Sequence, residues 1–408
     1  MVTIADRKDD SMTRLHCYVH IPFCRERCNY CDFFLVTRQD LQKGFFAALA
    51  RETSQRLAAF DGSTIHSIHF GGGTPSLVPV SCLEEWLETL SRYVSLSGDA
   101  EITIEANPED LAAEKIRDLT ALGVNRLSIG VQSFLPEKLR ALGRLHTAEE
   151  ALRVADAAME AFGNVSVDLI CGVEGETFEA WERDVHTVLS TGVPHVSVYM
   201  LALEKNTRLE SLVRRGVVVL PDESEQAAMY VRACELLESE GFEHYEVSNF
   251  SKPGFFSRYN MGCWCRESYL GFGPSAHSFL VSGGRETRSA NVNSLIRYIA
   301  SPDEAQNCNE VLSRAEQISE KIFLSLRLSS GLNLADLLQY HEGNSRVRGI
   351  LDRLEKQGLI ERKGDVIKVS RRGFLFADKV AEELIPVRKK CASEEAFPLR
   401  VPTTNSEK

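Results

Sequence analysis

The sequence predicts an α/β chain built as a partial (β/α)6 barrel followed by a C-terminal winged-helix-like α+β domain. Two observations carry this expectation. Between residues 17 and 201, six short β-rich runs alternate with segments whose apolar residues recur at helical spacing, which implies a parallel sheet joined by right-handed crossovers. The regular count stops at six, so an open barrel fits better than a closed eight-stranded one. From about residue 311 the pattern changes to amphipathic helices around a single hairpin.

Composition sets the limits. The chain has 408 residues, 43% hydrophobic and 26% charged, as an ordinary globular protein does. A net charge of −11 argues against a nucleic-acid partner. No apolar run is long enough to span a bilayer, and the start, MVTIADRKDDSMTRLH, lacks the apolar core of a signal peptide. Eleven cysteines without an export signal indicate a reducing, cytoplasmic setting with thiols free for metal.

In chain order, residues 1–14 read as a disordered leader and 15–250 as the barrel. The first strand, Cys17 to Ile21, is stopped by Pro22, so the next loop lies beyond a strand's carboxyl end, where βα folds place their chemistry. Ile65–Phe70, Glu101–Ala106, Asn125–Gly130, Val165–Ile170 and His195–Leu201 supply the other five strands. Leu83, Trp86, Leu87, Leu90 and Val94 mark a helix, and further helices are expected over about 109–122, 147–162, 176–191 and 222–240. Residues 251–310 read as a connecting segment. Within 311–386, helices around Ile318–Leu326 and Val347–Leu354 precede a hairpin turning at Lys363-Gly364-Asp365 and a last helix over 373–384. Residues 387–408 read as a disordered tail.

The loop after the first strand carries Cys24, Cys28 and Cys31, spaced Cys-x3-Cys-x2-Cys. Three thiolates in eight residues suit one iron–sulfur cluster and leave one iron of a [4Fe–4S] cube without a protein ligand, open to a small molecule. The competing reading is half of a structural zinc site. Zinc wants four ligands, and the available fourth residues, His16, Cys17 and His20, are not in zinc-ribbon spacing. After the second strand comes Gly71-Gly72-Gly73-Thr74-Pro75, a loop that allows close backbone approach and offers N–H groups to a ligand. Later strand ends bear Glu105, Gln132, Arg144 and Asp168. Carboxylates can accept ribose hydroxyls and a guanidinium can hold a carboxylate, although Arg144 and Asp168 could equally form a structural salt bridge.

YVHIPFC, CNYCDF, GGGTPS, TIEANPE, GVNRLSIGVQSF, LGRLH and VDLICG occur in this order. Over roughly residues 17–385 the chain resembles the oxygen-independent coproporphyrinogen III oxidase family of radical S-adenosylmethionine (SAM) proteins. The resemblance implies a [4Fe–4S] cluster on Cys24, Cys28 and Cys31. It also implies SAM contacts at Tyr18, Tyr30, Gly72, Gly73, Thr74, Glu105, Gln132, Arg144, Asp168 and Ala202.

Within that family, the true oxidase carries a further cysteine two residues after the third, where this chain has Phe33. Phe33, with the segments YEVSNF and YLGFGPSAHS, resembles the heme chaperone branch instead. That branch implies heme as a third bound group, an unidentified acceptor protein that receives it, and peripheral contact with membrane heme proteins. The alternative is a radical SAM oxidoreductase that decarboxylates coproporphyrinogen III in porphyrin biosynthesis, or acts on another substrate, through a 5′-deoxyadenosyl radical. Whether the chain is an enzyme stays open, and no catalytic residue is assigned. One departure concerns heme: the branch usually has His-Asn-x-x-Tyr-Trp, whereas this chain has Tyr259-Asn260-Met261-Gly262-Cys263-Trp264. Tyr259, Cys263, Cys265 and His277 are the candidate heme ligands, since tyrosinate, thiolate and imidazole all ligate heme iron.

Overall fold

The computed structural model describes residues 14–341 and 345–386. The expected leader, save Arg14, and the tail lie outside the described residues.

Among these residues, fifteen strands run in chain order: β1 Leu15–Ile21, β2 Thr64–Gly72, β3 Ser95–Ala106, β4 Arg126–Gln132, β5 Val165–Cys171, β6 His195–Met200, β7 Glu243–Glu246, β8 Asn249–Ser251, β9 Ser268–Phe272, β10 His277–Ser282, β11 Arg285–Asn291, β12 Gln306–Val311, β13 Leu332–Asn333, β14 Ile360–Lys363 and β15 Val366–Val369. The first twelve form one sheet in the order β12-β11-β10-β9-β1-β2-β3-β4-β5-β6-β8-β7. β1 to β6 are parallel and joined by helices, as the alternating pattern predicts. Their outward faces bury Ile68, Phe70, Ile104, Leu127, Val167 and Val196 against the helix layer.

The sheet does not stop at the six predicted strands. β9 pairs in parallel with the free side of β1, so β1 is interior, and β10, β11 and β12 continue antiparallel from there. Thus much of the expected connecting segment 251–310 is sheet. Its strands give little sequence signal because β9 is five residues long and contains Gly271, while β11, RETRSAN, is polar and only half-buried.

Local chemistry sets the helix limits. Helices Ala148–Phe162 and Glu223–Ser239 open on capping boxes, Thr147 with Glu150 and Asp222 with Glu225. The helix expected from 109 starts later, at Ala113, because Asn107-Pro108 first makes a tight 3-10 turn over Pro108–Asp110. That turn keeps Glu109 and Asp110 at the barrel mouth. In the C-terminal part, helices Arg314–Ser325, Leu334–Tyr340 and Ser345–Lys356 precede the β14–β15 hairpin, with β13 pairing on β15. This is the winged arrangement predicted.

Candidate functional site

The loop after β1 is held in shape by its own backbone and by one arginine. Cys24 N–H donates to Val36 O at 3.0 Å and Val36 N–H to Pro22 O at 2.7 Å, which closes the loop at its base. The Arg27 guanidinium donates to the carbonyls of Cys31, Phe33 and Leu35 at 3.1–3.3 Å, and Arg25 pairs with Asp110 of the 3-10 turn at 2.6 Å. On the far side, Asn29 accepts from Leu209 N–H and donates to Ala141 O.

Cys24, Cys28 and Cys31 all line one cavity of about 230 Å³ at the carboxyl ends of the strands. Thr74 Oγ1 donates to Cys24 Sγ at 3.2 Å and Arg144 approaches Cys28 Sγ at 3.6 Å. Among the described residues, no three His, Cys, Asp or Glu side chains close around a single ion. The three sulfurs face a cavity rather than a point, which suits a polynuclear cluster better than zinc. Burial raises the Cys24 thiol, against the Thr74 hydrogen bond, and pushes Cys31 up to about 12. Metal loading must therefore displace protons from these thiols.

The same cavity is lined by Tyr30, Gly72, Gly73, Thr74, Glu105, Gln132, Arg144, Asp168 and Ala202, so nine of the ten predicted SAM residues meet there. Tyr18 does not line it. Its ring lies one layer lower, stacked on His69 at 6.0 Å, and its hydroxyl bonds His20 Nδ1 at 3.2 Å. Arg144 and Asp168 are not salt-bridged to each other. Arg144 donates to Asn107 Oδ1 at 2.5 Å and Gly130 O at 2.7 Å. Burial works against its charge, but Tyr30, Cys28 and Glu109 hold it on.

The glycine loop departs from the sequence expectation of free N–H donors. Gly72, Gly73 and Thr74 donate to Glu105 Oε2, Ile21 O and Phe23 O at 3.1, 2.8 and 2.7 Å. The glycines instead permit close packing. Gly72 has φ +111°, and a Cβ on Gly73 would lie 2.8 Å from Phe23 O.

Deeper in the cavity, Glu105 accepts from His69 Nε2 at 2.9 Å and from Gly72 N–H. Burial disfavours its charge, yet these two partners hold it below the usual carboxylate range. Asp168 is the opposite case. Burial raises it to about 6, only partly offset by Ser197, Arg126 and Ser128. Gln132 sits at φ 69°, unusual for a side-chain-bearing residue, and its buried Oε1 has no hydrogen-bond partner. Three thiols, a buried guanidinium, two carboxylates of unlike proton affinity and an orphaned amide oxygen form a donor set that fits a cluster with a zwitterionic nucleoside beside it.

Asn107, Glu109, Ser128 and Tyr199 also line the cavity, and sequence alone does not single them out as contacts. Ser128 and Tyr199 point inward by strand alternation, a signal available only once register is known.

The candidate heme ligands do not line the cavity. The short helix Arg258–Trp264 plugs the opposite end of the barrel, where Glu101 accepts from Arg258 N–H at 3.0 Å and a Cβ on Gly262 would lie 2.6 Å from His16. Tyr259 packs against both Tyr18 at 5.9 Å and His69 at 5.0 Å, which themselves lie 6.0 Å apart, and its hydroxyl bonds Cys263. Cys265 is exposed just beyond this helix, and His277 opens β10, half-buried.

A parallel barrel whose first loop brings three thiols to a cavity of this chemistry defines the radical SAM class. The radical SAM superfamily model matches residues 18–188, and the HemN C-terminal domain model matches residues 312–376. The heme chaperone HemW of Bacillus subtilis is 34% identical over 374 residues, covering 89% of this chain and 97% of the relative. The mitochondrial radical S-adenosyl methionine domain-containing protein 1 of Danio rerio is 36% identical over 324 residues, covering 77% of this chain and 73% of that protein. The chain belongs to the HemW family of radical SAM proteins. Its fold is that of the Escherichia coli coproporphyrinogen III oxidase HemN, with a TM-score of 0.79 at 24% identity over 91% of this chain and 90% of that one. Among the described residues, no helix is long and apolar enough to cross a membrane.

Proposed function

We propose that this chain is a heme chaperone that carries a [4Fe–4S] cluster on Cys24, Cys28 and Cys31, holds SAM in the adjoining cavity, and passes heme to an acceptor protein. The observation that carries the first two parts is the convergence of three thiols with Arg144, Glu105, Gln132 and Asp168 on one cavity. Heme rests on kinship with proteins named heme chaperones and on Phe33, which stands where the oxidase branch has a further cysteine. When bound and reduced, a cluster of this kind supplies an electron to SAM. The chain's own residues would bind and orient it: Arg144 would hold the SAM carboxylate, Asp168 and Glu105 would accept from hydroxyls, and the Gly72-Gly73 backbone would allow close approach of the ligand.

The test is anaerobic reconstitution with iron and sulfide, followed by heme titration read by absorbance. A cluster spectrum plus a saturable one-to-one heme band, with no decarboxylation of coproporphyrinogen III, is expected. Turnover of coproporphyrinogen without heme uptake would transfer the chain to the oxidase reading.

Asp168 gives a pH prediction. Its carboxyl titrates near 6, so the acceptor form is lost as pH falls through that value. SAM affinity of the reconstituted protein should drop about fourfold between pH 7.5 and 5.5. Asp168→Asn should bind about tenfold more weakly at pH 7.5 and show a flatter profile. Parallel profiles for the two proteins would remove Asp168 from the SAM site.

A further inference from the structure

A bound heme needs a place, and at the barrel floor the Tyr259 hydroxyl is already bonded to Cys263 while its ring packs in a cluster with Tyr18 and His69. The mouth is different. Phe33, Leu145, Met200 and Leu203 are 40%, 50%, 38% and 42% exposed, although each is large and apolar. The first three line the cavity, and Leu203 lies between its lining residues Ala202 and Glu204. They come from opposite sides of the opening. Phe33 follows β1, Leu145 follows β4, and Met200 ends β6 with Leu203 just beyond it, five places from β1 in the sheet. Single exposed apolar side chains are unremarkable on any protein, but a ring of four around one mouth marks a binding surface.

From this arrangement we infer that the porphyrin plane lies across the barrel mouth against Phe33, Leu145 and Leu203, with the Met200 thioether as an axial ligand to heme iron. The inference rests on the heme-chaperone reading and adds the site to it. Methionine sulfur is an established heme ligand. Among the described residues, no histidine lines the cavity, Tyr30 and Tyr199 are both half-buried within it, and the three cysteines are assigned to the cluster. Exposed Lys205 and Arg208 lie just beyond Leu203, and they supply cations for the two propionates of heme.

The experiment is heme titration of the cluster-reconstituted full chain as wild type, Met200→Leu, Met200→His, Leu145→Glu with Leu203→Glu, and Tyr259→Phe. All four rim substitutions are at exposed positions, and cluster absorbance reports whether each variant is intact. Met200→Leu should change the visible bands of ferrous heme and weaken binding about tenfold or more, and the double glutamate variant should weaken it at least as much. Met200→His should restore affinity with a histidine-ligated spectrum. Wild-type titration curves and spectra in all rim variants would overturn the assignment while leaving the chaperone reading intact, as would loss of heme in Tyr259→Phe with Met200→Leu unaffected. Failure of the wild type to take up heme would instead defeat the chaperone reading itself.

Discussion

Replacing Cys24, Cys28 or Cys31 by alanine should reduce reconstituted iron and sulfide from about four of each per chain to nearly none, measured chemically and by loss of the broad visible absorption. The effect should be that large because the loop is built for three ligands and offers no spare. Cys17 is fully buried in β1 and faces the core, while Cys171 is also buried and Cys263 lies at the opposite end of the barrel. None can swing into the vacated position. Arg27→Ala separates geometry from ligation. It leaves every thiol in place but removes the donors that hold Cys31 O, Phe33 O and Leu35 O, so a cluster should form and then be lost faster under air. Full iron retention in any single cysteine variant would mean that the fourth, open position is not where the three-thiol loop places it.

Much of this site was legible in the chain because its chemistry is local. Cys-x3-Cys-x2-Cys is read from eight residues, and Gly72-Gly73 from a strand end. Arg144, Asp168 and Gln132 follow from the rule that βα folds collect function at one end of the sheet. What was not legible depends on contacts far apart in sequence. That β1 is interior is set by its pairing with β9, far along the chain, and β11 is too polar to announce itself as a strand. The role of Asp110 in anchoring Arg25 depends on a 3-10 turn where periodicity suggests helix. Tyr259 shows the limit of motif reading. Its position in the motif suggests a ligand, but only the fold reveals its packing against Tyr18 and His69 and the bond from its hydroxyl to Cys263. Likewise, Phe33, Leu145 and Met200 lie far apart in sequence, and only the curved sheet brings them to one rim.

Glu246→Gln should stabilise the protein at pH 8 and have little effect near pH 5. Glu246 ends β7 and is fully buried where the barrel meets the C-terminal domain, with both carboxylate oxygens lacking a hydrogen-bond partner of good geometry. Burial raises it to about 7, against the partial help of Asn249, the Ser248 N–H and Arg327. Arg327 does not neutralise it, because its guanidinium pairs with Asp378, donates to Phe323 O and lies over the Phe323 ring. Proton linkage fixes the sign. Below about pH 4.5 the group is neutral in both folded and unfolded chains and contributes nothing. Between 4.5 and 7 the unfolded chain ionises while the folded one stays protonated, so stability falls as pH rises, and above 7 the full penalty remains. Its size is on the order of 3 kcal/mol, which glutamine, uncharged at every pH and able to donate as well as accept, should largely remove. Urea unfolding of both proteins at pH 5 and pH 8 measures the difference directly. Should the variant be less stable at pH 8, the Glu246 carboxylate is stabilised rather than penalised in the folded protein and ties Arg327 to the barrel edge, and this junction is held by an ion pair rather than strained by a buried acid.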